Sequence, residues 1–445
     1  MNRIATKYHP GIEWLKKTRR SLRIKLAQRQ LLREWSVKKS THFELKAPKP
    51  LNRLLILPCD PWTFIGSKGD EAMVNAAVGH LAAKSSGLSV GVIVASASAA
   101  EAAIRLGYQP LFCWAENWSL GKVLSGIDEF DPDMMLTLGA DVMDGYYSPQ
   151  TTSRLLITAD IVAARGVLSI VLGFSFNKNP NPDTRVIFER LDSRLSLNVR
   201  DPISLERFHE FTSRAARLVA DAAFMLTPNY DGDGVTDAIS WANSRRLAGD
   251  VVIGLNIHPM LIRKASDAQV ADLVQGVVAA VKHLPSASRI SVALIPHDYR
   301  GAEGDDVCLA PIYEALASTF GGRIIYPRAE LSAAQLKAIA GSMDGVITGR
   351  MHLAVASLGM GVPVAGLTYQ DKFHGLFLHF GLPNRLLLSP EQVIDGTSLG
   401  ELIEGFICEI PTLRALVQNK LPGVKLLSLR NLDWRSNSHD MKSDL

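Results

Sequence analysis

Short apolar runs alternate with helix-period segments twice along the chain, and this alternation constrains the fold more than any other feature of the sequence. In the first half the runs cover residues 53–57, 90–95, 134–138, 168–172 and 195–199, with helical patterns such as 71–83 and 149–164 between them. In the second half they cover 251–256, 290–295, 323–326, 345–348 and 362–367, separated by helical patterns at 268–283, 306–319, 331–340 and 351–359. Apolar runs too short for helices, interleaved with helices, are strands buried on both faces, so each half is expected to form a parallel, doubly wound α/β sheet. Two such Rossmann-like units of similar size would face each other across a cleft, with ligands held where the strand order of each sheet reverses.

The chain accordingly divides into a basic arm (1–50), an amino-terminal α/β domain (51–235), a carboxyl-terminal α/β domain (236–390) and a late helix with a polar tail (391–445). Residues 229–237, NYDGDGVTD, imitate a calcium loop, but the pattern fails. Gly234 falls two places early, Val235 takes a ligand position and Ala242 stands where the bidentate glutamate belongs. The stretch reads as the linker between domains. The pattern at 399–417 reads as a helix that could pack onto either domain.

The net charge of +4 conceals an asymmetry: residues 1–50 hold 14 Lys and Arg against three Glu, leaving 34 basic against 41 acidic residues for the remainder. Among the arm's cations stand Trp14, Leu15, Leu22, Leu26, Leu31, Leu32 and Trp35. Apolar anchors beside Lys and Arg suit peripheral contact with an anionic membrane surface, where burial and phosphate attraction add. A solvated helix or loose tail is the competing reading; no nucleic-acid-binding module follows the arm, so nucleic acid is not an expected partner. The four cysteines are far apart and form no Cys-x-x-Cys, so neither a zinc motif nor a disulfide framework is signalled, and no other metal-ligand cluster is apparent. The first 25 residues lack an uninterrupted apolar core, so a cytoplasmic protein is expected, peripheral to the membrane if the arm binds there. The apolar window 353–369 is divided by Gly359, Gly361 and Pro363 and reads as buried core rather than a membrane span.

Residues 344–369, DGVITGRMHLAVASLGMGVPVAGLTY, read as strand, turn, helix and strand, with Arg350 and His352 in the turn. The carboxyl ends of parallel strands and the amino ends of the following helices converge there on bound anions. Taken singly, Arg350 could merely pair with a surface acid and His352 could be a satisfied helix-start histidine. After the first strand, Gly66-Ser-Lys-Gly-Asp-Glu71 has two glycines that let backbone amides approach a ligand, though its spacing is neither a Walker loop nor a dinucleotide fingerprint.

With these pieces placed, the chain resembles the polysaccharide pyruvyl transferase family over roughly residues 51–382. The matching motifs are Gly69-Asp70-Glu71-Ala72, Leu138-Gly139-Ala140-Asp141, Val199-Arg200-Asp201 with Ser204, Ala220-Asp221-Ala222-Ala223-Phe224, Thr348-Gly349-Arg350-Met351-His352, and the 369–382 stretch with Lys372 and Gly375. The family often has paired glycines where this chain has Gly139-Ala140, and the basic arm lies outside the resemblance. The resemblance implies a GT-B-like fold and transfer of pyruvate from phosphoenolpyruvate to sugar hydroxyls of a polysaccharide or its lipid-linked precursor, as a ketal, with no cofactor. Phosphoenolpyruvate and a glycan acceptor are then the expected small-molecule partners. Arginine suits a donor carrying carboxylate and phosphate, because its planar fork donates in pairs. On that basis His352 is the expected acid/base, Arg350 and Arg200 the anion clamps, and Asp141 or Asp70 the group that orients acceptor hydroxyls. Glu71, Lys372 and His297 are further candidates for substrate contact; for the His297–Asp298 loop a solvated loop is the simpler reading. The alternatives are a GT-B nucleotide-sugar glycosyltransferase, for which Glu401 and Glu409 have a suggestive spacing at an unsuitable place, and a catalytically lapsed relative tethered by its arm.

Overall fold

The computed structural model describes residues 26–40, 50–262, 264–284, 287–368 and 371–433. Seven strands build the first sheet: β1 (Arg53–Leu57), β2 (Ser89–Ile93), β3 (Gln109–Leu111), β4 (Met134–Thr137), β5 (Leu168–Phe174), β6 (Ser196–Val199) and β7 (Arg217–Leu218). They lie in the order β3-β2-β1-β4-β5-β6-β7 and every pairing is parallel. The second sheet holds β8 (Val251–Asn256), β9 (Ile290–Leu294), β10 (Ile324–Ile325), β11 (Gly345–Thr348), β12 (Val364–Leu367) and β13 (Leu387–Leu388), in the order β10-β9-β8-β11-β12-β13, again all parallel. Strand order therefore reverses between β1 and β4 in one sheet and between β8 and β11 in the other. Residues of β4, β11 and β12 are buried without exception, as strands covered by helices on both faces must be.

Helix starts follow from the sequence. Ser67, Ser96, Ser119 and Ser148 each cap a helix by accepting a backbone N–H in its first turn. Ser266 with Gln269, Ser332 with Gln335 and Ser389 with Gln392 form reciprocal capping boxes.

Three expectations need correcting. The 229–237 stretch is not all linker, because a helix, Asp233–Leu247, begins inside it; the Gly-Val-Thr-Asp run supplies that helix's first turn. The late helix is Thr397–Leu429, far longer than the expected 399–417, and Pro411 and Pro422 lie within it. It packs on both domains: Ser428 donates to the Asp221 carbonyl (2.7 Å), and beyond the helix Asn431 donates to the Ala220 carbonyl (2.8 Å) and accepts from the Gly173 amide (2.7 Å). Finally, residues 26–40 form a helix docked on the first domain, with Trp35 fully buried and its indole donating to Asp160 (2.7 Å). Trp35 is thus a core residue and does not face a membrane. The rest of the arm lies outside the described residues, as does the tail from 434. No helix among the described residues is long and apolar enough to cross a membrane.

The domains are fastened by charge and by close packing. Lys68 pairs with Glu71 (3.0 Å) in its own helix, Lys68–Ala82, and with Glu330 (2.9 Å) of the other domain. Glu71 in turn accepts the Ala333 amide (2.8 Å) at the start of helix Ala333–Gly341. Helix Lys372–Phe380 lies against the first domain at Gly375, where a Cβ would fall on the Asp201 carboxylate.

Candidate active site

The site grows from the ends of β8 and β11. Thr348 Oγ1 donates to Asn256 Oδ1 (3.0 Å) and accepts the Arg350 amide (2.9 Å); Asn256 Nδ2 donates to Asp305 (2.7 Å) and to the Ile295 carbonyl (2.9 Å). These bonds tie the strand ends to the 297–305 loop. Arg350 completes the tie. Its Nε and Nη2 donate to Asp305 Oδ1 (2.8 and 2.6 Å), Nη2 also to the Glu303 carbonyl (3.0 Å), and Nη1 lies 3.1 Å from Asp298. Both carboxylates are buried. Arg350 therefore anchors the loop in this conformation and is not a free anion clamp.

The two ends of the 297–305 loop are accordingly buried at His297, Asp298 and Asp305, contrary to the simpler sequence reading for His297–Asp298, while residues 300–303 between them are exposed. His297 donates its amide to Asp305 (2.7 Å), and its imidazole is pushed down to about 3, by burial first and then by the charges of His352 and Arg350, with Lys68 adding. Asp298 opposes them, and the fixed cations there are paired, Arg350 with Asp298 and Asp305 and Lys68 with Glu71 and Glu330.

His352 belongs to helix Met351–Gly359 of the second domain, but its ring lies against the first. At Gly69 a Cβ would collide with the imidazole, so the room that glycine leaves is filled by His352 and not by a ligand. The imidazole Nε2 lies 3.4 Å from Asp221 Oδ2, an ion-pair contact when the ring is protonated. Asp221 caps the short turn Ala222–Met225 by accepting the Ala223 amide (2.9 Å), and it also receives Arg200 Nη1 (2.9 Å). Burial alone would raise its carboxyl; His352, Arg200 and the Ala223 amide outweigh that and hold it well below the usual carboxylate range. Arg200 also donates Nε to Ser175 (2.7 Å) and is 3% exposed. Its guanidinium is engaged by Asp221, the carboxylate that also faces His352.

Between the domains lies a cavity of about 530 Å³. Asp141, after β4, and Lys372, from the second domain, line it and form an ion pair across it. Burial raises the Asp141 carboxyl, yet Lys372 and then the charges of Arg200 and His352 bring it down to about 2. Asp141 thus stands between the cavity and the His352 cluster. Ser175 lines the same cavity while accepting from Arg200. Ala140, at the position of the second family glycine, takes φ +43°, so the backbone keeps the left-handed turn there despite the methyl group. Asp70 is raised by burial, accepts from Ser67 (2.9 Å) and Cys59 (3.4 Å), and feels His352. Glu71 is buried between Lys68 and Ala333 and bridges the two domains. Glu409 pairs with Arg385 at the surface, away from the cavity.

Sequence reasoning quoted the Asp221 motif without giving the residue a role, and passed over Asp305, Asp298 as a partner of Arg350, and His258. His258 follows β8, is 2% exposed, and has no hydrogen-bond partner at either ring nitrogen among the described residues. An aspartate before a small-residue turn signals a cap, and Asp221 is one; its second function depends on a residue 131 positions later, which no local pattern encodes.

A family model described as polysaccharide pyruvyl transferase matches residues 68–371. No curated protein sequence matches the chain. Among solved structures, a Listeria monocytogenes protein assigned as a UDP-N-acetylglucosamine 2-epimerase superposes with a TM-score of 0.52 at 14% identity, covering 86% of this chain and 95% of its own. The UDP-GlcNAc 2-epimerase of Neisseria meningitidis bound to UDP-GlcNAc gives 0.50 at 10% identity, covering 85% and 99%. A ugt transferase from Siraitia grosvenorii in complex with UDP gives 0.51 at 11% identity, covering 85% and 98%. At these identities the likeness is one of fold: two parallel-sheet domains of the GT-B type.

Proposed function

The chain belongs to the polysaccharide pyruvyl transferase family, and from that premise we propose that it moves pyruvate from phosphoenolpyruvate onto two hydroxyls of a sugar ring in a glycan, closing a ketal and releasing phosphate. The observation that carries this reading is the imidazole of His352, delivered by one domain onto the Asp221–Arg200 pair of the other, beside a cavity bordered by Asp141. Imidazole is the side chain suited to trading protons near neutral pH. His352 protonates the enol methylene, the resulting cation is captured by the first hydroxyl, phosphate departs, and the second hydroxyl closes the ring. The methylene gains one proton, the hydroxyls lose one each, and the remaining proton leaves with phosphate.

The division of the cleft supports separate donor and acceptor ends. Five carboxylates and three Lys or Arg line the cavity, a balance that suits hydroxyl donors better than a multiply charged anion. Asp141 is assigned there to an acceptor hydroxyl. The donor is assigned to the His352 end, beside the imidazole that hands it a proton. A nucleotide-sugar transferase shares the fold and is the rival this assignment must beat.

The test is to incubate the protein with phosphoenolpyruvate and glycan from cells lacking it. A mass gain matching a pyruvate ketal, with equivalent phosphate release, is expected; sugar transfer from a nucleotide sugar instead would overturn the reading. A placed acid/base contributes about 10² to 10⁴ in rate, so His352→Gln should lose that much while melting like the parent. Wild-type turnover in that variant would remove His352 from the chemistry. Peripheral membrane contact through the arm is a separate part of the proposal; because residues 26–40 are docked with Trp35 in the core, the test deletes residues 1–25 alone, which should move the protein to the soluble fraction.

A further inference from the structure

Beside the cleft cavity, on the first domain, lies a second hollow of about 230 Å³. Tyr147 lines both, and the chain passes from Asp141 in one wall to Val142 in the other. The hollow's floor includes Cys59, whose thiol donates to Asp70 (3.4 Å), so its far side abuts the carboxylate that feels His352. Three aromatic rings line it. Trp114 is buried, but Trp62 is 41% exposed, which leaves a large apolar face open to water at the mouth; Tyr147, 53% exposed, has the Lys372 ammonium 5.9 Å over its ring and Tyr146 against it. Leaving such area uncovered is unfavourable, and its concentration at one concavity marks a binding surface.

The polar side of the hollow carries Asp60, Ser148, Thr151 and Arg154. Arg154 is half-buried, its guanidinium lies 4.8 Å from the centre of the Trp118 ring, and it has no carboxylate partner among the described residues. An open indole face beside a fixed fork of N–H donors matches a pyranose, which presents a C–H face on one side and a rim of hydroxyl acceptors around it. A polysaccharide also requires room beyond the ring being modified, because its neighbours must lie somewhere.

We propose that this hollow is a second glycan subsite, holding the sugar ring next to the one that receives pyruvate. The proposal rests on the pyruvyl-transfer reading above. It assigns Trp62 as the stacking platform, Tyr147 as the partition shared with the cleft cavity and Arg154 as the hydroxyl-binding cation, and it makes the enzyme selective for chains over single sugars.

The experiment compares two acceptors: polysaccharide from cells lacking the protein, and its constituent sugars as methyl glycosides. Trp62→Ala and Arg154→Met should each raise KM for the polysaccharide about tenfold, the loss of one good contact, with kcat and melting temperature close to wild type. Turnover of the methyl glycosides should not change. If both variants keep the wild-type KM for polysaccharide, or lose both acceptors equally, the subsite is wrong while pyruvyl transfer stands. If the wild-type protein adds no pyruvate to the polysaccharide, the underlying reading fails and the subsite falls with it.

Discussion

His352 owes its position to what Gly69 lacks. The imidazole fills the space above the first turn of helix Lys68–Ala82, and a methyl group there must displace either the ring or the helix. Gly69→Ala should therefore cut turnover by at least tenfold while the protein still melts cooperatively, since the clash falls on the end of a side chain and not on backbone. Activity within twofold of wild type would show that the ring need not sit there. The sequence marked this spot correctly, since Arg350 and His352 lie at the strand end where an α/β sheet displays its chemistry. It misjudged their partners. Arg350 engages Asp298 and Asp305, 52 and 45 positions away, and His352 meets Asp221 across the domain boundary. Partner choice at such separations is set by how two sheets dock, which no window of sequence contains. The same limit hid the contact of Glu71 with the other domain: a glutamate at a glycine-rich helix start looks alike whether it meets a sugar or the amide of Ala333.

At the scale of elements, the central strands were legible because each is a continuous apolar run between helices. β1, β8 and β11 fall where the runs fall. Of the four edge strands, β3, β7 and β13, two or three residues each, carry no period to detect, whereas β10 falls inside the 323–326 run. Helix Ala333–Gly341 contains a residue that pattern reading would misplace. Lys337 is 2% exposed and donates Nζ to the carbonyls of Ala223 (3.3 Å) and Phe224 (3.1 Å), capping the turn that Asp221 begins. Burial, then the charge of Lys425, lowers it to about 7 from an ordinary value of 10.5. Between those two values the unfolded chain keeps a proton that the folded protein has shed, so this group's contribution to stability rises with pH across the window; below pH 7 the cost of burying the charge is felt in full. Urea unfolding of wild type and Lys337→Met at pH 7 and pH 9 should show wild type gaining on the variant by on the order of 2 kcal/mol. Parallel behaviour of the two proteins would refute a depressed lysine.

For the whole molecule, two of the carboxylates held low take their partners from the other domain. Asp141 faces Lys372, and Asp221 faces His352. A carboxyl depressed in the folded state stabilises above its ordinary value near 4, and that contribution is lost as pH falls toward its folded value, about 2 for Asp141. Wild type should therefore be more stable than Lys372→Met at pH 6, and the difference should shrink by pH 3. A gap that is independent of pH would mean that the ion pair adds nothing to holding the cleft.

The return of the chain to its starting domain has a consequence for synthesis. The amide of Gly173, on β5, is satisfied by Asn431, 258 positions later, and the Asp221 carbonyl by Ser428. A ribosome that has finished the first sheet has thus not yet made the residues that seal it. Nascent chains arrested near residue 400 are expected to be cut by protease around β5 and the 221–225 turn, and chains released after 433 to resist. The second sheet must wait its turn, so the first spends that interval incomplete and exposed to chaperones.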